Sequence, residues 1–261
     1  MNGSHYAHNI DTAPPDPHPH HRRGGDDIEI RGDYQYRALT HGHPVQRYWH
    51  ASKLLLVDRF LRPSPSDKVI DVGCGSGVVA DHIASKGAEV VGVDTNPSAI
   101  AFATQRFGRP SVEFRLGTAE DLPFPNGAFT KVVFMEVLEH LSADEARPMM
   151  STLRRLLAPR GLLLVTTPNY GGIWPFVEAL VDRTGRAAHM AHDQHVSRYD
   201  RSHLQRLLEG ADFTPLRIGT YCTIAPFLAP FSRPVADRYL DLELRGHLPF
   251  GNVLYGLAAA R

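Results

Sequence analysis

The spacing of apolar residues along this chain changes period repeatedly, and each change predicts an element. Tyr48 to Leu61 (YWHASKLLLVDRFL) has apolar positions at helical spacing and ends before Pro63, which predicts a helix. Lys68 to Val72 is a short apolar run of the kind expected for a strand buried on both faces, and Val78 to Lys86 returns to the helical period. The alternation then repeats. Strands are predicted over Glu89–Asp94, Val112–Leu116, Lys131–Met135 and Gly161–Thr167, and helices over Pro97–Phe107 and Ala143–Leu157. Past Asn169 the pattern lapses. A helix returns at Ser202–Glu209, and two strand-like stretches, Thr214–Tyr221 and Asn252–Ala259, close the sequence. Strands alternating with helices predict an α/β fold, a doubly wound, mostly parallel sheet covered by helices on both faces.

Composition changes this picture at one end. Residues 1 to 32 are rich in Pro, His, Gly and Asp and hold few large apolar side chains, so a disordered tail is expected there and a single domain over 33–261. His5, His8, His18, His20 and His21 lie in this tail, where opportunistic metal binding is the plainest use for them. Over the whole chain of 261 residues, 28 Lys plus Arg balance 28 Asp plus Glu. That balance gives no electrostatic footprint for DNA and argues against RNA as a partner. One of the two cysteines, Cys74, lies in a glycine turn and the other is Cys222, an arrangement that favours free thiols over a disulfide. The first residues have no apolar core of a signal peptide, and no run approaches about 20 apolar residues, so a cytoplasmic protein is expected.

The strand Lys68–Val72 runs into Gly73-Cys74-Gly75-Ser76-Gly77 and then into a helix. Glycines permit positive φ and close approach of a ligand, and the following helix presents free N–H groups. The run does not follow G-x-G-x-x-G, because Val78 occupies the sixth position, and it lacks the Gly-Lys-Ser/Thr ending of a phosphate loop.

With Asp71 ahead of the glycines, the turn resembles the first motif of class I S-adenosylmethionine-dependent methyltransferases. Further stretches are similar to later motifs of that family in the same order. These are VVGVDTN ending at Asp94 to Asn96, GTAEDLPFPNGAF from Gly117, FMEVLEHL from Phe134, and PRGLLLVTTPN from Pro159. The resemblance implies a Rossmann-like, seven-stranded sheet whose last strand is antiparallel, and S-adenosylmethionine as cofactor. It implies that Gly73, Gly75 and Gly77 lie under the cofactor, with Asp71 at its amino-acid end. It further implies that Asp94 holds the ribose, Thr95 and Asn96 line the neighbouring turn, Ala119 and Glu120 flank the adenine, and Met135 lies beneath. Lys53 stands where quinone-pathway O-methyltransferases place a basic residue, in reach of the cofactor carboxylate. Cys74 is expected to serve as a small filler of the turn rather than as a reactive thiol.

Glu136, Glu139 and His140 (E-x-x-E-H) resemble the metal-binding motif of ubiquinone-pathway O-methyltransferases and of small-RNA 2′-O-methyltransferases. His195 in HDQHVSRYDRSHL, rather than His192, best matches the further imidazole of the RNA enzymes. Glu136, Glu139, His140 and His195 are thus candidate ligands for a divalent metal such as Mg²⁺. Without a metal, Glu136 and His140 are the candidate catalytic acid–base or positioning pair, because an oxygen nucleophile needs help to ionise. The same motif also occurs in members of the class that use no metal. Residues 170–197 and 222–251, rich in aromatics, are expected to form a substrate lid. The function read from all this is methyl transfer to oxygen of a small, largely apolar acceptor of quinone, polyketide or lipid type, with peripheral membrane contact as an accompanying expectation. A metal-dependent RNA 2′-O-methyltransferase, an N-methyltransferase of a small amine and a non-catalytic cofactor-binding protein are the alternatives.

Overall fold

The computed structural model describes residues 31–177, 179, 195–246 and 250–261. The predicted tail up to residue 30 and most of the 170–197 insertion, including His192, lie outside the described residues. Seven strands form one sheet in the order β3-β2-β1-β4-β5-β7-β6. They are β1 (Lys68–Val72), β2 (Glu89–Asp94), β3 (Val112–Leu116), β4 (Phe129–Met135), β5 (Leu157–Pro168), β6 (Phe213–Tyr221) and β7 (Val253–Ala260). Strands β1 to β5 pair in parallel, while β7 lies antiparallel to both β5 and β6. The doubly wound sheet with an antiparallel last strand is therefore observed as expected.

The period-2 geometry of a strand sorts its side chains onto two cores. Ile70 and Val72 of β1 and Val132 and Phe134 of β4 face α5 (Ala143–Leu156) and α6 (Arg201–Gly210). Val69, Val133 and Met135 face the other way, toward α2 (Pro44–Leu56), α3 (Val78–Ala84) and α8 (Arg233–Arg245). Asp71 shares the parity of Val69, so its carboxylate emerges on the α2 face. The remaining helices are α1 (Tyr34–Thr40), α4 (Pro97–Phe107) and α7 (Ala225–Leu228). Chain leaves β1 for one face and β4 for the other, which opens a crevice beyond the strand ends between them.

Several boundaries depart from the sequence pattern. The predicted helix Tyr48–Leu61 begins at Pro44, with proline in its first turn. It closes in a widened π turn over Val57–Leu61 that stops at Arg62, a left-handed residue. Strand β5 starts at Leu157 rather than Gly161, because α5 passes straight into extended chain with Arg160 at positive φ. Helix α1 has too few apolar positions to show in the pattern. Within 222–251, Pro226 and Pro234 read as helix breakers, yet each sits in the first turn of a helix, where its missing N–H costs nothing. Helix α8 buries Ala236, Leu240 and Leu244 in the core on the α2 face of the sheet. Packed chain also begins before residue 33: Gly32 lies against the backbone of Ser98 and Ala99 in the first turn of α4.

The fully buried Phe134 ring lies in the larger core. Phe134→Ala is expected to cost about 3–5 kcal/mol of stability, through lost burial and an unfilled cavity, read from urea denaturation.

Candidate active site

Gly73, Gly75 and Gly77 all take positive φ, at 74°, 49° and 78°. The Gly73 and Cys74 N–H groups donate to the Val93 carbonyl at 2.8 and 3.0 Å, which ties the turn to the end of β2. Asp94 completes the tie: its Oδ2 accepts from Gly75 N–H and its Oδ1 from Asn96 N–H, both at 2.8 Å. Asn96 caps α4 by accepting from Ser98 and Ala99 N–H. Thr95 between them is exposed. The Gly117 N–H donates to the Asp94 carbonyl and so brings the turn carrying Ala119 and Glu120 alongside; Ala119 is buried and Glu120 exposed. The glycine turn, Asp94, Thr95, Asn96, Ala119 and Glu120 thus stand together at the ends of β1, β2 and β3. Cys74 and Cys222 are free and buried, and burial pushes the Cys74 thiol well above its ordinary range, which suits a filler.

A pocket opens beside the turn, and Lys53, Asp71, Gly73 and Met135 line it together with Gln35 and His50. Asp71 is 3 % exposed and its Oδ2 has no hydrogen-bond partner. Burial, with Asp94 as a smaller cause, raises its carboxyl to about 7. Gln35 and His50 escaped the sequence reading. The signal for His50 was its place three residues before Lys53, on the same helix face; Gln35 had none, because α1 meets the turn only through tertiary packing.

The E-x-x-E-H turn divides. Glu136 takes φ 55°, in the left-handed region; its Oε1 accepts from Thr166 Oγ1 at 2.7 Å and its Oε2 lies 3.9 Å from Lys53 Nζ. Glu139 is 2 % exposed and accepts from Thr167 Oγ1 at 3.0 Å. Burial, then the nearby Glu136 charge, raises the Glu139 carboxyl well above its usual range. Glu139, His140 and His195 place one potential ligand atom each within 4.8 Å of one another. Glu136 is not in that grouping, being turned to Lys53 and Thr166. Tyr170 Oη meets His195 Nδ1 at 3.0 Å, and the His195 ring also faces Trp174, which packs on Trp49.

A glycine turn pinned by an acidic residue at the end of β2, in this sheet order, defines a class I methyltransferase. The family model of the methyltransferase domain matches residues 42–218. The chain belongs to that family. It is 34% identical over 128 residues to a probable S-adenosylmethionine-dependent methyltransferase of Mycolicibacterium smegmatis, covering 49% of this chain and 48% of the relative. It is 36% identical over 110 residues to a ubiquinone biosynthesis O-methyltransferase of Rhizobium etli, covering 41% and 44%. These matches span less than half the length of either relative. In fold it is similar to geranyl diphosphate C-methyltransferase of Streptomyces coelicolor, with a TM-score of 0.59 at 20% identity, covering 90% of this chain and 86% of that one.

The raised Asp71 carboxyl has a measurable consequence. Its folded pKa lies above the unfolded value of about 3.9, so the folded state holds the extra proton between the two. Stability of the ligand-free protein therefore falls as pH rises from about 4 to about 7, by up to about 1.4 kcal/mol per unit from this group. Asp71→Asn is expected to melt higher than wild type at pH 8 and close to it at pH 4. Melting curves that shift in parallel across this range would contradict the assignment.

Proposed function

We propose that this chain transfers the methyl group of S-adenosylmethionine to an oxygen of a small, largely apolar acceptor. The observation that carries this reading is the grouping of Glu139, His140 and His195 just beyond the strand end where Met135 lines the pocket. Similarity to ubiquinone biosynthesis O-methyltransferases supports the choice of oxygen. In this reading Gly73, Gly75 and Gly77 give the cofactor close approach and Asp94, held rigid by the turn, accepts from the ribose hydroxyls. Thr95 and Asn96 border the ribose, Ala119 and Glu120 flank the adenine, and Met135 lies beneath. Asp71 and Lys53 serve the amino-acid end.

An oxygen lone pair of the acceptor attacks the methyl carbon in line, the carbon–sulfur bond breaks toward sulfur, and S-adenosylhomocysteine leaves. The acceptor hydroxyl must lose its proton, and in this reading the imidazole of His140 or His195 takes it. Tyr170 Oη meets His195 Nδ1, and in the tautomer where that nitrogen donates, Nε2 is the basic nitrogen of the ring. Glu136, fixed by Thr166 and Lys53, adds negative charge beside the sulfonium. One carboxylate and two imidazoles also form a donor set for a divalent cation, more suited to Mn²⁺, Fe²⁺ or Zn²⁺ than to Mg²⁺. A bound cation would supply acidity to the acceptor hydroxyl. The segments flanking the site carry the exposed Phe176, Phe227, Phe231 and Phe250, which support an apolar acceptor reaching the site by way of a membrane surface. Among the described residues no helix is long and apolar enough to cross a membrane.

The test is turnover on a panel of phenols, catechols, amines and short RNAs, with metal content measured on the same preparation. Oxygen methylation is expected, and His195→Ala is expected to lower kcat by about 10²-fold or more while leaving S-adenosylhomocysteine affinity within about twofold. Turnover confined to amines or RNA, or a His195→Ala enzyme of full activity, would overturn the reading. Chelator sensitivity lost in Glu139→Gln would assign the cation to this group.

A further inference from the structure

Helix α1 lies across the glycine turn. The Ser76 N–H donates to Gln35 Oε1 at 3.1 Å, and the Tyr36 N–H donates to Ser76 Oγ at 3.0 Å. A Cβ at Gly75 would run into the Gln35 carboxamide, so only glycine leaves room for this contact. Tyr36 is anchored in turn on Phe102 and Phe107 of α4, with the Arg106 guanidinium over its ring. The Ser76 donor sets the orientation of the amide, with oxygen toward the turn and the NH₂ group away from it. Among the described residues no protein acceptor takes the Nε2 hydrogens, and Gln35 lines the pocket with Lys53, Asp71 and His50.

The polar groups of this pocket sort by sign. Gln35 Nε2 and Lys53 Nζ are donors. Asp71 Oδ2 is a buried acceptor with no partner, and an unpartnered buried carboxylate is costly. His50 makes an edge contact with Tyr34, and burial, with Lys53 as a lesser cause, lowers its imidazole to about 3. It is therefore neutral, with one ring nitrogen free to accept. Two donors and two acceptors lining one pocket match a zwitterionic amino acid, whose carboxylate takes the donors and whose ammonium takes the acceptors.

We propose that Gln35 and His50 complete the site for the amino-acid end of the cofactor, Gln35 donating to its carboxylate and His50 accepting from its ammonium. The proposal rests on the cofactor reading above. It makes α1 the roof of the cofactor site: the Gln35 oxygen holds the glycine turn while its nitrogen holds the ligand. Loss of the cofactor's amino-acid end removes the ligand side of that bridge and leaves the protein side in place.

The test compares two ligands by titration calorimetry: S-adenosylhomocysteine, and 5′-methylthioadenosine, which lacks the amino-acid end. Gln35→Ala and His50→Phe are each expected to weaken S-adenosylhomocysteine about tenfold or more, as loss of a hydrogen bond to a charged group does, and to leave methylthioadenosine within about twofold. Gln35→Glu keeps an oxygen for Ser76 and sets a carboxylate against a carboxylate. It should weaken S-adenosylhomocysteine at least as much as Gln35→Ala, with methylthioadenosine affinity showing that the variant is folded. Equal weakening of both ligands would reduce α1 to a general cover and overturn the assignment, as would unchanged affinity for S-adenosylhomocysteine. Wild-type protein that binds neither ligand would instead remove the cofactor reading itself, and the proposal with it.

Discussion

Much of this molecule depends on one carboxylate accepting two backbone hydrogen bonds. Asp94 takes the N–H groups of Gly75 and Asn96, one with each oxygen. The first bond holds a turn whose glycines all sit at positive φ, and glycine loses more chain entropy on ordering than other residues. The second sets Asn96 as the cap of α4. The ends of β1 and β2, and the start of α4, are thus tied through a single side chain. Rigid placement matters to an in-line transfer, where small misplacements of the reacting atoms are expensive.

The second constraint is charge. The crevice gathers Asp71, Asp94, Glu136 and Glu139 at the strand ends, against one buried cation among the described residues, Lys53. Burial keeps Asp71 and Glu139 protonated more than water would, and the neighbouring carboxylates reinforce the effect. A folded protein carries such groups at a loss of stability, which a cationic ligand offsets by restoring the charged form. The sulfonium and the ammonium of S-adenosylmethionine are cations of this kind. The strained backbone of Glu136 belongs to the same picture: it turns the carboxylate toward Lys53 and Thr166 and leaves Glu139 to meet the two imidazoles.

The helical layer over the α2 face has two jobs. Helix α8 buries its inner face on the sheet, and Arg233 at its start lies over the Tyr48 ring of α2. Helix α2 in turn presents His50 and Lys53 to the pocket and Trp49 to Trp174. Apolar packing thereby sets the position of groups whose own interactions are polar, so core and site are not separable on this face.

The sequence by itself determined the strand and helix alternation from Lys68 to Thr167, the glycine turn and the acidic residue closing β2. These signals are local. A parallel strand buried on both faces is nearly continuous in apolar residues, and a tight turn with three positions at positive φ favours glycine at each. Only the tertiary structure decided the rest. The prolines of α7 and α8 look the same in a loop as in a first helical turn, and packing on the sheet chooses between them. Helix α1 has only Ala38 fully buried, so its place on the glycine turn depends on contacts with Ser76 and α4 that lie some forty to seventy residues away. The division of the E-x-x-E-H turn into a Lys53-facing Glu136 and an imidazole-facing Glu139 follows from one left-handed residue, which no spacing rule reveals.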